Sequence, residues 1–193
     1  EVYIRAMRAC LIAGRSALML VPEIALTPVF SRRLKAIFAD QVAILHSNLS
    51  PGERFDEWRR IRRGDARVVI GTRSAVFAPL QTPGLVIVDE EHDASYRQHD
   101  SPFYNARDTA VMRASLVNAV VVLGSATPSL ESWHNAQQGR YTRLRLRTRV
   151  SGGAMPKVEI VDLRAEKRVG KEAVLFSLRL KELLMQALER GEQ

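Results

Sequence analysis

Leu85-Val86-Ile87-Val88-Asp89-Glu90-Glu91-His92 decides how this chain is read. Four consecutive apolar residues, three of them β-branched, predict a strand covered on both faces. The run stops at three carboxylates and a histidine. In an open parallel sheet, chemistry gathers where the strands end. Three acids packed at one point repel one another, so a cation is their natural partner. One carboxylate on Mg²⁺ beside another that orients a water is what nucleoside triphosphate hydrolysis requires. The competing reading is an acidic start to the next helix, favoured by its dipole.

Working outward, apolar runs that read as strands alternate with amphipathic stretches. Ala17 to Val21, Val42 to Leu45, Arg67 to Ile70 and Ala119 to Leu123 read as further buried strands. Val158 to Val161 reads as a short last one. Arg140 to Val150 alternates leucine and arginine, which predicts a strand with one basic face. Helices are expected from Glu1 to Ala13, from Thr27 to Phe38 and from Ser50 to about Arg63. Three more are expected over Arg107 to Leu116, Ser129 to Gln138 and Val174 to Arg190. Thr27-Pro28 and Ser50-Pro51-Gly52-Glu53 carry N-cap signals, the second a full capping box. The first helix should bury Val2, Ile4, Ala6, Ala9, Cys10 and Leu11. The third should turn Phe55, Trp58 and Ile61 inward. The pattern predicts an α/β fold, a parallel sheet with helices on both faces. The strand ends then share one edge with Glu23, His46, Thr72, Arg73, Asp89, Glu90, His92, Ser125 and Thr127.

The 193 residues suffice for one sizeable α/β domain. Net charge is +8, and only five of the 29 basic residues are lysines. Arginine at that level suits bidentate contacts to a polyanion, although an arginine-rich codon bias gives the same composition. No apolar run approaches the ~20 residues that span a bilayer. The single cysteine, Cys10, excludes an internal disulfide and a cysteine-cluster zinc site, and fits a reducing, cytoplasmic setting. Trp58 and Trp133 read as core anchors, His46 and His134 as structural histidines, and His99 as exposed.

Asp89-Glu90-Glu91-His92 resembles the DExH (DEAH-type) box of superfamily 2 helicases, and Gly124-Ser125-Ala126-Thr127 their Ser-Ala-Thr motif. Pro22-Glu23-Ile24-Ala25-Leu26-Thr27-Pro28 and Gly71-Thr72-Arg73-Ser74 look like motifs Ia and Ib. All four occur in order, each after an expected strand. With Tyr104-Asn105-Ala106-Arg107-Asp108, these motifs resemble the primosomal protein N′ (PriA) family of replication-restart helicases, nearly end to end. The resemblance implies a RecA-like (P-loop NTPase) first helicase lobe over 1–150. Residues 151–193 would be a linker, short strand and helix leading toward a second lobe.

It implies a 3′→5′ ATP-dependent DNA helicase that restarts replication at stalled forks. ATP and Mg²⁺ would be its cofactors. Single-stranded and forked DNA, primosome proteins and single-stranded-DNA-binding proteins would be its partners. By the same resemblance Asp89 holds Mg²⁺, Glu90 polarises the attacking water and His92 relays nucleotide state. Gly124, Ser125, Ala126 and Thr127 link hydrolysis to lobe movement. Glu23, Thr27, Gly71, Thr72, Arg73 and Ser74 lie along single-stranded DNA. Tyr96, Arg97, Phe103 and Tyr104 belong to an aromatic-rich loop that senses it.

No Gly-x-x-x-x-Gly-Lys-[Ser/Thr] occurs within the 193 residues. The resemblance places that loop just before Glu1 and its strand near the middle of the sheet. It also places the second lobe, zinc-binding cysteines, an N-terminal DNA-binding region and a C-terminal domain outside the chain. On its own the chain is therefore expected neither to hydrolyse ATP nor to unwind DNA. Two other readings compete. One is a metal-dependent nuclease or phosphatase built on the Asp-Glu-Glu-His cluster; the other is a non-catalytic nucleic-acid-binding module.

Overall fold

The computed structural model describes residues 1–25, 27–146, 157–164 and 176–191. In chain order the elements are α1 (Val2–Ile12), β1 (Ser16–Leu20), α2 (Pro28–Phe38), β2 (Val42–Leu45), α3 (Pro51–Arg63) and β3 (Val68–Gly71). Then come β4 (Pro83–Val88), α4 (Ala106–Leu116), β5 (Val120–Leu123), α5 (Leu130–Gln137) and α6 (Leu178–Glu189). The five strands form one wholly parallel sheet in the order β2-β3-β1-β4-β5. The chain runs from β1 to one side for β2 and β3, then crosses to the other side for β4 and β5. The crevice for a ligand in such sheets lies at that reversal, outside the carboxyl ends.

Alternation along each strand builds two cores. Leu18, Leu20, Ala43, Leu45, Val69, Val86 and Val88 face Ile61 of α3 and Ala106, Ala110 and Ala114 of α4. Ala17, Met19, Val42, Ile44, Val68, Ile70, Leu85 and Ile87 face Met7 of α1 and Leu34 and Phe38 of α2. All six residues of β4 are buried. That two-sided burial explains why its sequence is a continuous apolar run.

The helix starts follow their local chemistry. The Thr27 side chain accepts from the Phe30 amide, with Pro28 in the first turn. Ser50 and Glu53 make the reciprocal capping box, and Gly64 ends α3 at φ 83°. Each such cap is worth roughly 1 kcal/mol.

Several expectations are corrected. In α1 Ile4, Ala6, Cys10 and Leu11 pack against the core as expected, but the fully buried residue is Met7, and Val2 and Ala9 are exposed. In α3 only Ile61 goes inward; Phe55 is 61% and Trp58 42% exposed. That single buried residue suffices because α3 packs chiefly on β2, an outer strand among the described residues. Trp133 is likewise not a core anchor: it stays 37% exposed, under the Arg143 guanidinium at 4.2 Å. β5 is only half-buried, being an outer strand among the described residues. Residues 140–146 form no strand, because no neighbouring backbone pairs with their alternating pattern; 147–150 lie outside the described residues. Val158 to Val161 is likewise not a strand.

The chain divides into two compact units, Glu1–Arg143 and Leu144–Gln193. In the second, α6 is capped by Ser177, and Arg179 pairs with Glu159 at 3.4 Å and with Glu182 at 3.4 Å. Among the described residues no helix is long and apolar enough to cross a membrane.

Candidate functional site

The site is assembled where β4 runs out. The Asp89 amide still donates to the Leu20 carbonyl of β1 at 2.9 Å, so the first acid is fixed by the sheet. One of its carboxylate oxygens, Oδ1, accepts from the Tyr3 hydroxyl of α1 at 2.9 Å. Its carbonyl accepts from the Tyr96 hydroxyl at 2.6 Å. Burial, and then the negative charge of Asp89, pushes both phenol pKa values well up, so each stays a proton donor. Gly124, at the end of β5, lies against this group. A Cβ there would fall 1.8 Å from the Tyr3 hydroxyl and 3.5 Å from Asp89 Oδ1. Glycine is what lets α1, β4 and β5 converge on the acid.

The next two acids part company. Glu90 takes φ 45°, the left-handed region that a non-glycine residue adopts at a cost of about 1–3 kcal/mol. That kink breaks the alternation of the strand. The Glu90 side chain remains about half exposed, whereas the Glu91 side chain is 1% exposed. Glu91 Oε1 accepts from the Ser129 amide at 2.7 Å. Its Oε2 accepts from the hydroxyls of Ser129 at 3.0 Å and Ser132 at 2.9 Å and from Arg107 at 3.2 Å. Burial alone would raise the Glu91 pKa, but the Ser129 amide, the two serine hydroxyls and Arg107 outweigh it and hold the carboxyl below its ordinary value.

The expected trio of acids around one cation is therefore corrected: Glu91 is neutralised internally and faces away. No group of three or more metal-binding side chains occurs among the described residues. That removes the geometric basis for a nuclease built on all three acids.

His92 returns to the surface. Its Nδ1 lies 2.8 Å from the Ser125 hydroxyl and 3.6 Å from Glu90 Oε2. Its Nε2 lies 3.5 Å from the Thr127 hydroxyl, and the Thr127 amide donates to Ser125 Oγ at 2.9 Å. The structure thus brings together Asp89, Glu90, His92 and the Gly124–Thr127 segment, with Ala126 exposed on that segment. The link runs through backbone too: the Glu91 amide donates to the Gly124 carbonyl at 3.0 Å.

A second cluster lies beyond β1, β2 and β3. Glu23, Ser47, Arg54, Thr72, Arg73, Ser74, Ser95, Gln98 and Tyr104 line one polar cleft. The Ser47 hydroxyl donates to Glu23. Thr72 is buried, and Ser74 is exposed. Arg73 donates to the carbonyls of Ser95 at 3.0 Å and Arg97 at 2.9 Å, so part of its guanidinium holds a loop. Gly71 has a packing reason of its own, since a Cβ would lie 2.4 Å from the Leu45 carbonyl. Thr27 is committed to its helix cap and does not line the cleft.

The aromatic loop is a small hairpin. Arg97 bridges Asn105, and the Gln98 amide donates to the Tyr104 carbonyl at 2.8 Å. Tyr96, expected among the outward rings, is instead 1% exposed and props Asp89. Phe103 is 77% exposed, Arg97 is exposed, and Tyr104 packs edge-on against Phe77 at 5.1 Å. Sequence reasoning missed Tyr3, Arg107, Ser129, Ser132 and Arg54. Ser129 carried a signal as a helix cap and Arg107 as part of the Tyr104-to-Asp108 motif, though with no role attached; Tyr3, Ser132 and Arg54 are polar residues whose partners are remote in sequence.

Comparison with known proteins gives this geometry a context. The family profile for DEAD/DEAH box helicases matches residues 1–136. Over its full length the chain is 47% identical to the replication restart protein PriA of Bacillus subtilis, covering 24% of that protein. It is 48% identical to the PriA of Treponema pallidum, covering 28%, and 38% identical to that of Helicobacter pylori, covering 29%. The chain thus spans about a quarter of the length of the curated relatives it matches.

Proposed function

This chain belongs to the DEAD/DEAH box helicase family, and on that premise we propose that it is the first motor lobe of an ATP-dependent 3′→5′ DNA helicase acting in replication restart. Residues 1–143 would form the lobe, and the remainder would lead toward a second one. A cytoplasmic, DNA-bound protein follows from the same reading, with replication proteins as partners. The observation that carries it is the convergence of Asp89, Glu90, His92, Ser125 and Thr127 at one sheet edge, beside a polar cleft lined by Thr72 and Arg73.

The acids suit a nucleotide-bound magnesium ion. Mg²⁺ is usually held by one or two carboxylates with substrate phosphates completing the shell, not by a protein cage. Asp89 fits that pattern. Tyr3 occupies Oδ1 on one side and the sheet fixes the backbone, which leaves a single hard oxygen ligand in a set orientation. Bound there, the ion would neutralise charge on the phosphates. Glu90 is the candidate base that polarises the attacking water, being the exposed carboxylate next along the chain. His92 meets Glu90 and Ser125 at Nδ1 and Thr127 at Nε2, so a change at the acids reaches the Gly124–Thr127 segment through one ring.

Along the cleft, Ser and Thr hydroxyls, backbone amides and arginines offer contacts that ignore base identity, as a translocating motor requires. Exposed Phe103 and Arg97 at the hairpin add a stacking ring and a phosphate contact.

Within these residues no lysine-bearing phosphate loop exists, so the chain alone should show no ATP turnover. In the intact protein, Glu90→Gln should lower kcat by about 10²–10⁴-fold. ATP affinity and fork binding, measured by nucleotide fluorescence and gel shift, should stay within a few-fold. Loss of turnover and binding together would make Glu90 structural and remove it from the chemistry.

A further inference from the structure

Glu91 is a buried acid between Glu90 and His92, and the hydrolytic reading gives it no task. A carboxylate 1% exposed is costly to bury unless its lone pairs are filled. Here they are filled from two separate segments. Ser129 and Ser132 belong to the first turn of α5, directly after the Gly124–Thr127 segment. Arg107 belongs to the first turn of α4, directly after the aromatic hairpin. The same guanidinium also donates to Ser129 Oγ at 2.8 Å and to Asp108 at 2.8 Å. Its side chain is 11% exposed.

The strained residue sits immediately before this acid. Glu90 at φ 45° has the sheet-bonded Asp89 on one side and the clamped Glu91 on the other. A left-handed non-glycine conformation persists when its surroundings over-determine it. With both neighbours fixed, the chain between them has little choice but to present the Glu90 carboxylate outward. We propose that Glu91, held by Arg107, Ser129 and Ser132, is a positioning residue. It fixes the backbone that aims Glu90, and it locks the Gly124–Thr127 segment to the acidic turn. This rests on the motor-lobe reading above and adds to it a residue that touches no reactant.

The test is a double-mutant cycle on ATP turnover in the intact protein. Glu91→Gln keeps an acceptor for the Ser129 amide but turns a donor toward Arg107, and Arg107→Gln removes the guanidinium. Each should lower kcat about 10-fold with KM for ATP within 2-fold. The double variant should be no slower than the slower single one, because both break the same contact. Ser132→Ala, which removes one donor and leaves the fold intact, should lower kcat about 2- to 3-fold. Unchanged kcat in all four would overturn the proposal. So would KM rising in step with the fall in kcat, or effects that multiply independently in the double variant. Absence of ATP turnover in the unaltered intact protein would instead remove the motor-lobe reading. An active unaltered protein with indifferent variants would remove only the positioning role.

Discussion

The carboxyl edge of the sheet has two corners, and they are built on opposite principles. Where β4 and β5 end, polar side chains are spent on one another. Tyr3 holds Asp89, Ser125 and Thr127 flank His92, and two serines and Arg107 surround Glu91. Where β1, β2 and β3 end, Glu23, Ser47, Arg54, Thr72 and Ser74 line an open cleft, and Glu23 and Ser47 there are exposed. Chemistry that turns on one water and one proton gains from groups fixed before the reaction begins. A track that releases and regrasps a polymer gains from groups that are accessible. On the motor-lobe reading proposed above, the contrast would assign preorganisation to one corner and exchange to the other.

The sharpest way to break that contrast is to remove an acid from each corner and unfold the chain in urea. Glu91→Ala leaves Arg107 buried with one main acidic partner and should cost about 3 kcal/mol, the range for breaking a buried pair. Glu23→Ala removes an exposed contact and should barely move the midpoint. The difference should also depend on pH. The folded-state pKa of Glu91 is depressed, so its contribution is complete above the ordinary glutamate pKa of about 4.3 and is lost as pH falls through the lower, folded value. The gap between the two variants should therefore be widest near neutrality and should narrow in acid. Equal costs at pH 7 would mean that the corners do not differ as described.

A smaller effect is expected at Gly124. Placing a methyl 1.8 Å from the Tyr3 hydroxyl must push that ring off Asp89, at roughly 1–3 kcal/mol for overpacking. Tyr3→Phe removes the colliding atom, although the ring carbon would still sit 3.0 Å from the new Cβ. The pair Tyr3→Phe with Gly124→Ala should thus recover part, not all, of the lost stability in the same urea experiment. Full additivity would show that the two residues do not share the contact. No comparable penalty is expected from alanine at Gly52 on α3, where nothing lies within 4 Å.

What the sequence disclosed divides along the same physical line. The sheet was legible because two-sided burial leaves unbroken apolar runs, and the helix starts were legible because capping is local: Thr27 and Ser50 find their partners three residues on. The grouping of Asp89, His92, Ser125 and Thr127 followed from strand ends sharing an edge. The sorting of the acids did not, because it hinges on one torsion. With an extended Glu90, Glu91 would point where the sequence pattern put it; at φ 45° it turns into the protein. Tyr96 was misread for a related reason. A tyrosine in a polar loop can face bases or reach a carbonyl seven residues back, and composition does not distinguish the two. Tyr3 had no local signature, and the motif that contains Arg107 gave it no role, since their partners Asp89 and Glu91 are 86 and 16 residues away.

The smallest expected effect concerns α3, which borders the open corner through Arg54. Phe55 and Trp58 have the spacing of a buried stripe, yet the helix rests on Ile61 alone as its buried residue, and the Arg59 guanidinium sits 5.6 Å from the Phe55 ring centre. An exposed ring held by a cation contributes little to folding, because most of its surface is in water in both states. Phe55→Ala should therefore shift unfolding by no more than about 0.5 kcal/mol, as surface substitutions do, whereas Ile61→Ala should cost about 2–5 kcal/mol. Trp58, partly covered, should fall between them. A Phe55→Ala cost close to that of Ile61→Ala would mean that the ring is packed in solution, and that this side of the cleft is as closed as the β4–β5 corner.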